Sequence, residues 1–147
     1  MSSSNGSAGA PDDALIARAA RLSRYARRVL AAEPALLTPA EAAVPADAAW
    51  IRAQVDDADE AALTRSLRTL RKRVMLRLIA RDLAGLAPLA EVTATVTALA
   101  ETAVTSAVAL LERTFAADYG TPRGADSGEA QHLHVVGMGK LGGRELN

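Results

Sequence analysis

The residues with the clearest chemical potential lie at the end of the chain. An apolar run, His132-Leu133-His134-Val135-Val136, leads directly into Gly137-Met138-Gly139-Lys140-Leu141-Gly142-Gly143. Glycines after a strand let backbone N–H groups approach an anion closely, and Lys140 adds a mobile positive charge. Phosphate or nucleotide binding is therefore one reading of the segment. A plain tight turn between strand and helix is the other.

The spacing separates some chemistries. A P-loop needs Gly, four residues, then Gly-Lys-Ser/Thr. Leu141 stands where the hydroxyl belongs and no glycine lies five residues before Gly139, so that reading fails. Gly137-x-Gly139-x-x-Gly142 matches the dinucleotide pattern literally, but its test, an acidic residue about 20 positions further on, falls beyond Asn147.

Other candidate groups are weaker. His132 and His134 alternate on the expected strand and share a face, yet no third ligand lies nearby, so no metal site is expected. The acidic pairs Asp12-Asp13 and Asp56-Asp57 read as solvated helix caps. Arg65, Arg68, Arg71, Lys72, Arg73, Arg77 and Arg81 form a basic run. Aromatic residues for base stacking are missing around it, and ion pairing with neighbouring helices is expected rather than nucleic-acid binding. Arg81-Asp82 reads as a local pair.

The elements that must hold the glycine segment are helical. Alanine fills 34 of 147 positions and aromatics only 3%, which favours helices over a β-sandwich. Leu15, Ala19, Leu22, Ala26 and Val29 recur at helical spacing in one helix ending near Glu33-Pro34. Thr38 to Ala49 reads as a short helical turn plus linker, anchored by Trp50 and Ile51. A second long helix spans about 61–83, striped by Leu63, Leu67, Leu70, Val74 and Leu78, with a C-cap at Gly85. A third fits 90–119, with Val92, Val96, Leu99, Ala103, Ala107 and Leu110 on one face.

The predicted fold is mainly α: an irregular bundle of three long helices, then the first strand of a truncated α+β domain. The expected divisions are a disordered leader 1–11, a helical region 12–120, a loop 121–131, and the start of the truncated domain at 132–147. Apolar surface is expected to stay exposed around Met75–Ile79 and Leu133–Val136. No apolar run is expected to reach the roughly 18 residues of a membrane span. With 17 basic and 17 acidic residues, net charge gives no pull toward nucleic acid or an anionic membrane. The absence of cysteine fits a reducing, cytoplasmic setting.

Gly137-Met-Gly-Lys-Leu-Gly-Gly-Arg-Glu-Leu-Asn147 closely resembles the glycine motif of the bifunctional glutamine synthetase adenylyltransferase/adenylyl-removing enzymes. Leu141 to Asn147 separates it from generic glycine loops. Arg71-Lys-Arg-Val-Met-Leu-Arg-Leu-Ile-Ala-Arg-Asp-Leu83 is similar to the Arg-rich helix that precedes the first catalytic domain there, and Ser23-Arg24-Tyr25 also fits. The resemblance implies an N-terminal fragment of a nucleotidyltransferase. That enzyme adds AMP to a tyrosine of glutamine synthetase and removes it by phosphorolysis.

It further implies phosphate binding by Gly137, Gly139, Lys140, Gly142 and Gly143, with Gly142-Gly143 as a competing register to Gly139-Lys140. ATP or ADP and Mg²⁺ are the implied cofactors. The implied partners are glutamine synthetase and a nitrogen-signalling regulatory protein. The family's Ser-Asp-x-Asp would follow Asn147, so no catalytic residue and no metal ligand is expected within the fragment, and the fragment alone is expected to be inactive. A truncated dinucleotide-binding domain and a non-enzymatic helical interaction module are the alternatives.

Overall fold

The computed structural model describes residues 11–147, with side chains from Ala14 onward. The expected leader, apart from Pro11, and the capping role of Asp12 and Asp13 lie outside the described residues. The helices are α1 (Pro11–Leu22), α2 (Arg24–Ala32), α3 (Pro39–Ala43), α4 (Ala48–Ala53), α5 (Glu60–Leu83), α6 (Leu89–Tyr119) and α7 (Gly139–Gly142). The chain forms two compact units. One comprises the described residues up to Ala46 with Lys72–Val92, the other Asp47–Arg71 with Thr93–Asn147.

The expected first helix is two helices. Ser23 leaves helical geometry at φ −114°, ψ 121°, and its hydroxyl accepts from the Ala26 N–H at 3.2 Å. Serine competes well for such a cap. Arg27 reaches back over the break and donates from Nε to the Ala20 carbonyl and from Nη2 to that of Arg21, both at 3.0 Å. Those are carbonyls that a helix end leaves without partners. The break also removes Leu22 from the expected stripe, leaving it 53% exposed.

In this first unit Ala19, Ala26, Val29, Leu37, Ala42, Leu76 and Ala80 form a buried cluster, flanked by Leu15, Ile16, Tyr25 and Ile79. Small alanines let the helices approach closely, and larger residues fill the margins. Met75–Ile79 was expected to be exposed and is not: Leu76 and Leu78 are buried, and Met75 and Ile79 are partly covered. The linker between α2 and α4 is better ordered than its prolines suggest. Thr38 and Glu41 form a reciprocal capping box on α3, with Pro39 in the first turn.

The basic run divides by position. Arg65, Arg68 and Arg71 are exposed, while Lys72 pairs with Glu33 and Arg73 with Glu41. Arg77 is buried and donates to the Val44 carbonyl at 2.7 Å. Arg81 does not pair with Asp82; its partner is Glu91. Gly85, at φ 74°, ends α5 as expected. The Leu86 N–H bonds the Arg81 carbonyl at 2.8 Å and the Gly85 N–H bonds that of Asp82 at 2.9 Å. That double bond pattern is the Schellman closure.

In the second unit the Asp59 carboxylate caps α5 by accepting from the Ala62 N–H at 2.7 Å. Ile51, Leu63, Leu70, Ala98 and Leu110 are buried, and Trp50 is only partly so. Thr95, Thr97 and Thr102 are buried too. Arg113 of α6 holds Asp57 at 3.1 Å.

One stretch is apolar for longer than expected. An 18-residue window of α6 reaches a mean hydropathy of 1.5, so by length and composition this helix is able to cross a membrane. Threonines interrupt the apolar run without lowering its average far. Core helices pass the same test, and three threonines of α6 point into the interior.

The expected strand at 132–136 is absent; no strand forms among the described residues. A strand exists through its ladder, and no second strand lies beside this segment. The loop before it closes on itself through a single antiparallel bridge, Arg123 with Ala130.

Candidate functional site

The glycine segment turns back on itself. Met138, with extended backbone, precedes the single turn α7, and Gly139 opens it at φ 57°, a conformation that side chains resist. Gly142 crosses so near Gly137 that an added Cβ would lie 2.6 Å from the Gly137 carbonyl oxygen. Nothing lies within 4 Å of a Cβ built on Gly139. Two of the glycines thus have separate physical reasons: one supplies a left-handed torsion, the other a close backbone crossing.

α7 ends in a second Schellman closure. The Glu145 N–H bonds the Lys140 carbonyl at 2.8 Å and the Arg144 N–H bonds that of Leu141 at 3.1 Å. Here the left-handed residue is Arg144, at φ 57°, where glycine is usual. Lys140 does not lean over the glycines; its Nζ donates to Asn147 Oδ1 at 3.1 Å. Gly143 caps α7 and donates to the Gly139 carbonyl at 2.9 Å.

The turn lies over α6. A groove of about 590 Å³ has Glu101, Val104, Val108 and Glu112 of α6 on one wall, and Leu133, Gly137, Leu141 and Arg144 on the other. Leu133, His134 and Val135 all line it, which consecutive residues of a flat strand cannot do. His132 and His134 both lie near enough to Glu112 to lower its carboxyl pKa, although no strand forms. A neighbouring apolar groove of about 950 Å³ runs past Leu111, Phe115 and Tyr119.

Glu112 ties the incoming segment down. Its Oε1 accepts the Leu133 N–H at 2.6 Å, and its Oε2 lies 3.4 Å from His132 Nδ1. The Leu133 hydrogen bond holds the Glu112 carboxyl below the usual carboxylate value; partial burial opposes this, and His132 and His134 reinforce it. At the other end Arg144 lies 3.8 Å from Glu101. Neither glutamate stood out in the sequence. The available signal was their spacing of eleven residues on one helix with valines between.

Among the described residues no three His, Asp or Glu side chains gather as a metal site. The glycine turn can offer backbone N–H groups to an oxyanion, and its open side at Gly139 leaves room for one.

A sequence model of the glutamate-ammonia ligase adenylyltransferase family matches residues 14–147. Curated relatives carry the name bifunctional glutamine synthetase adenylyltransferase/adenylyl-removing enzyme. The protein from Nitrosomonas europaea is 46% identical over 134 residues, covering 85% of this chain. That from Burkholderia mallei is 48% identical over 135 residues, again 85% of this chain. That from Chromobacterium violaceum is 46% identical over 140 residues, 91% of this chain. The chain spans only 14–15% of the length of these relatives. No solved structure matches it.

Proposed function

Because this chain belongs to the glutamate-ammonia ligase adenylyltransferase family, we propose that it supplies the helical region and first glycine turn of a nucleotidyltransferase that regulates glutamine synthetase. The whole enzyme would attach AMP from ATP to a tyrosine of glutamine synthetase and remove it by phosphorolysis. The nucleotides ATP and ADP, the target glutamine synthetase, a nitrogen-signalling regulatory protein and a cytoplasmic setting belong to this reading.

The observation that carries it is the backbone crossing at Gly142 and Gly137, with Gly139 left-handed beside it. Phosphoryl-type transfer depends mainly on positioning and charge neutralisation. Gly137 and Gly139 would place N–H donors around phosphate oxygens, whereas the Gly142 and Gly143 N–H groups already bond the Met138 and Gly139 carbonyls and would shape the turn instead. Lys140 would add its charge after leaving Asn147. Metal-held chemistry needs carboxylates that the described residues do not assemble, so no catalytic step is assigned to this chain.

The test has two arms. The 147-residue chain is titrated with ATP, ADP and inorganic phosphate while the Gly137–Gly143 amides are followed by NMR. Shifts confined to those amides support the reading; unchanged amides at millimolar ligand overturn it. The same chain, incubated with adenylylated glutamine synthetase, phosphate and Mg²⁺, is expected to release no ADP.

A further inference from the structure

We propose that Glu101 and Glu112 are positioning residues: they clamp the glycine turn onto α6, so that this helix sets where the turn presents its backbone. The inference rests on the phosphate-turn reading and deepens it. Eleven residues make about three helical turns, so the two carboxylates lie on one face roughly 16 Å apart. Val104 and Val108 lie between them on the same groove wall, facing Leu133 and Leu141. The turn is thus seated on an apolar bed with an acidic post at each end.

The two posts grip different chemistry. Glu112 takes the Leu133 backbone N–H at 2.6 Å, four residues before Gly137, and lies beside His132. Glu101 faces Arg144, which follows Gly143. The Arg144 backbone is itself fixed in a left-handed torsion by the bonds that close α7. The glycine turn is therefore held on its incoming side by a short hydrogen bond to α6, and on its far side the same helix offers a weaker, exposed ion pair. Two bare carboxylates beside an anion site would repel the anion. Here the Arg144 guanidinium offsets the Glu101 charge, and the Leu133 N–H dipole solvates the Glu112 carboxylate without cancelling its charge.

The test uses the full 147-residue chain, with hydrogen exchange at the Leu133 amide and tryptic cleavage after Lys140 and Arg144. In E112A the Leu133 amide is expected to exchange about tenfold faster or more, and cleavage to accelerate, because a charge-assisted hydrogen bond is lost. E112Q should restore most of the protection, since its amide oxygen still accepts that N–H. E101A should accelerate cleavage after Arg144 more than exchange at Leu133.

Native-like exchange and cleavage in E112A overturn the inference, and so does an E112Q as impaired as E112A. Circular dichroism checks that α6 persists; if E112A unfolds, L133P removes the same bond from the donor side and must free the turn. ATP binding is measured in parallel. No binding by the native chain overturns the phosphate reading alone. Binding that is unchanged in an E112A chain with a freed turn overturns the positioning role.

Discussion

Arg81 grips Glu91 with two prongs, Nε to Oε1 at 2.6 Å and Nη2 to Oε2 at 3.0 Å, across the turn that links α5 to α6. Its guanidinium also donates to the carbonyls of Ala43 and Leu86. One buried side chain thus joins the end of α3, the Schellman turn and the start of α6. The planar fork of arginine permits this, and a lysine ammonium cannot reproduce it.

Removing one member of that pair strands the other charge in a covered site. Arg81→Met is expected to destabilise the chain by about 3 kcal/mol, and Arg81→Lys by a large part of that. Urea unfolding followed by circular dichroism checks both. The double variant Arg81→Met with Glu91→Leu should recover much of the loss, since no unpaired charge remains.

Acid should weaken α3 through Glu41. Burial pushes its carboxyl up, but hydrogen bonds from the Thr38 backbone and hydroxyl, together with Arg73, bring it below its ordinary value. A carboxyl lowered in the folded state adds stability above its unfolded value, and that contribution fades as pH falls through the folded value. The native chain should therefore lose its advantage over Glu41→Gln as pH drops below about 4.5, while the advantage is level above pH 6. Denaturant midpoints of the two proteins at pH 7, 5, 4 and 3 test the sign.

Two glycine substitutions should behave differently. Gly85 is left-handed with nothing within 4 Å of an added Cβ, so Gly85→Ala should cost about 1 kcal/mol in global stability through its torsion alone. Gly142→Ala meets the Gly137 carbonyl and must open the turn. Its expected signature is local: the amides of residues 137–143 shift, while the midpoint of global unfolding stays near the native value. A shared, equal drop in midpoint would contradict the distinction.

The sequence exposed much of the helical frame because its signals were local. The bounds of α5 and α6 followed from Gly85 together with long apolar stripes, while the cap of α5 is Asp59 rather than the expected Asp56-Asp57 pair. Ser23 was harder: the apolar period runs through it, and only the competition between its hydroxyl and the ladder splits the helix. The missing strand shows the opposite limit. Val135 and Val136 carry β-propensity, but propensity is settled by partners that a one-dimensional pattern does not contain. The five glycine-segment positions were legible as a turn. The acidic posts at Glu101 and Glu112 were not, because their meaning depends on a contact with residues 20 or more positions away.

The His132–Val136 stretch, beyond the Leu133 N–H that Glu112 takes, carries a cost in concentrated solution. Val136 is 81% exposed, and the backbone beside it has no ladder of its own. Such a stretch is a template for strands of other molecules, and natural proteins usually guard it with charge or proline. Self-association seeded at this stretch should therefore set the upper limit on how concentrated the chain can be kept before it precipitates.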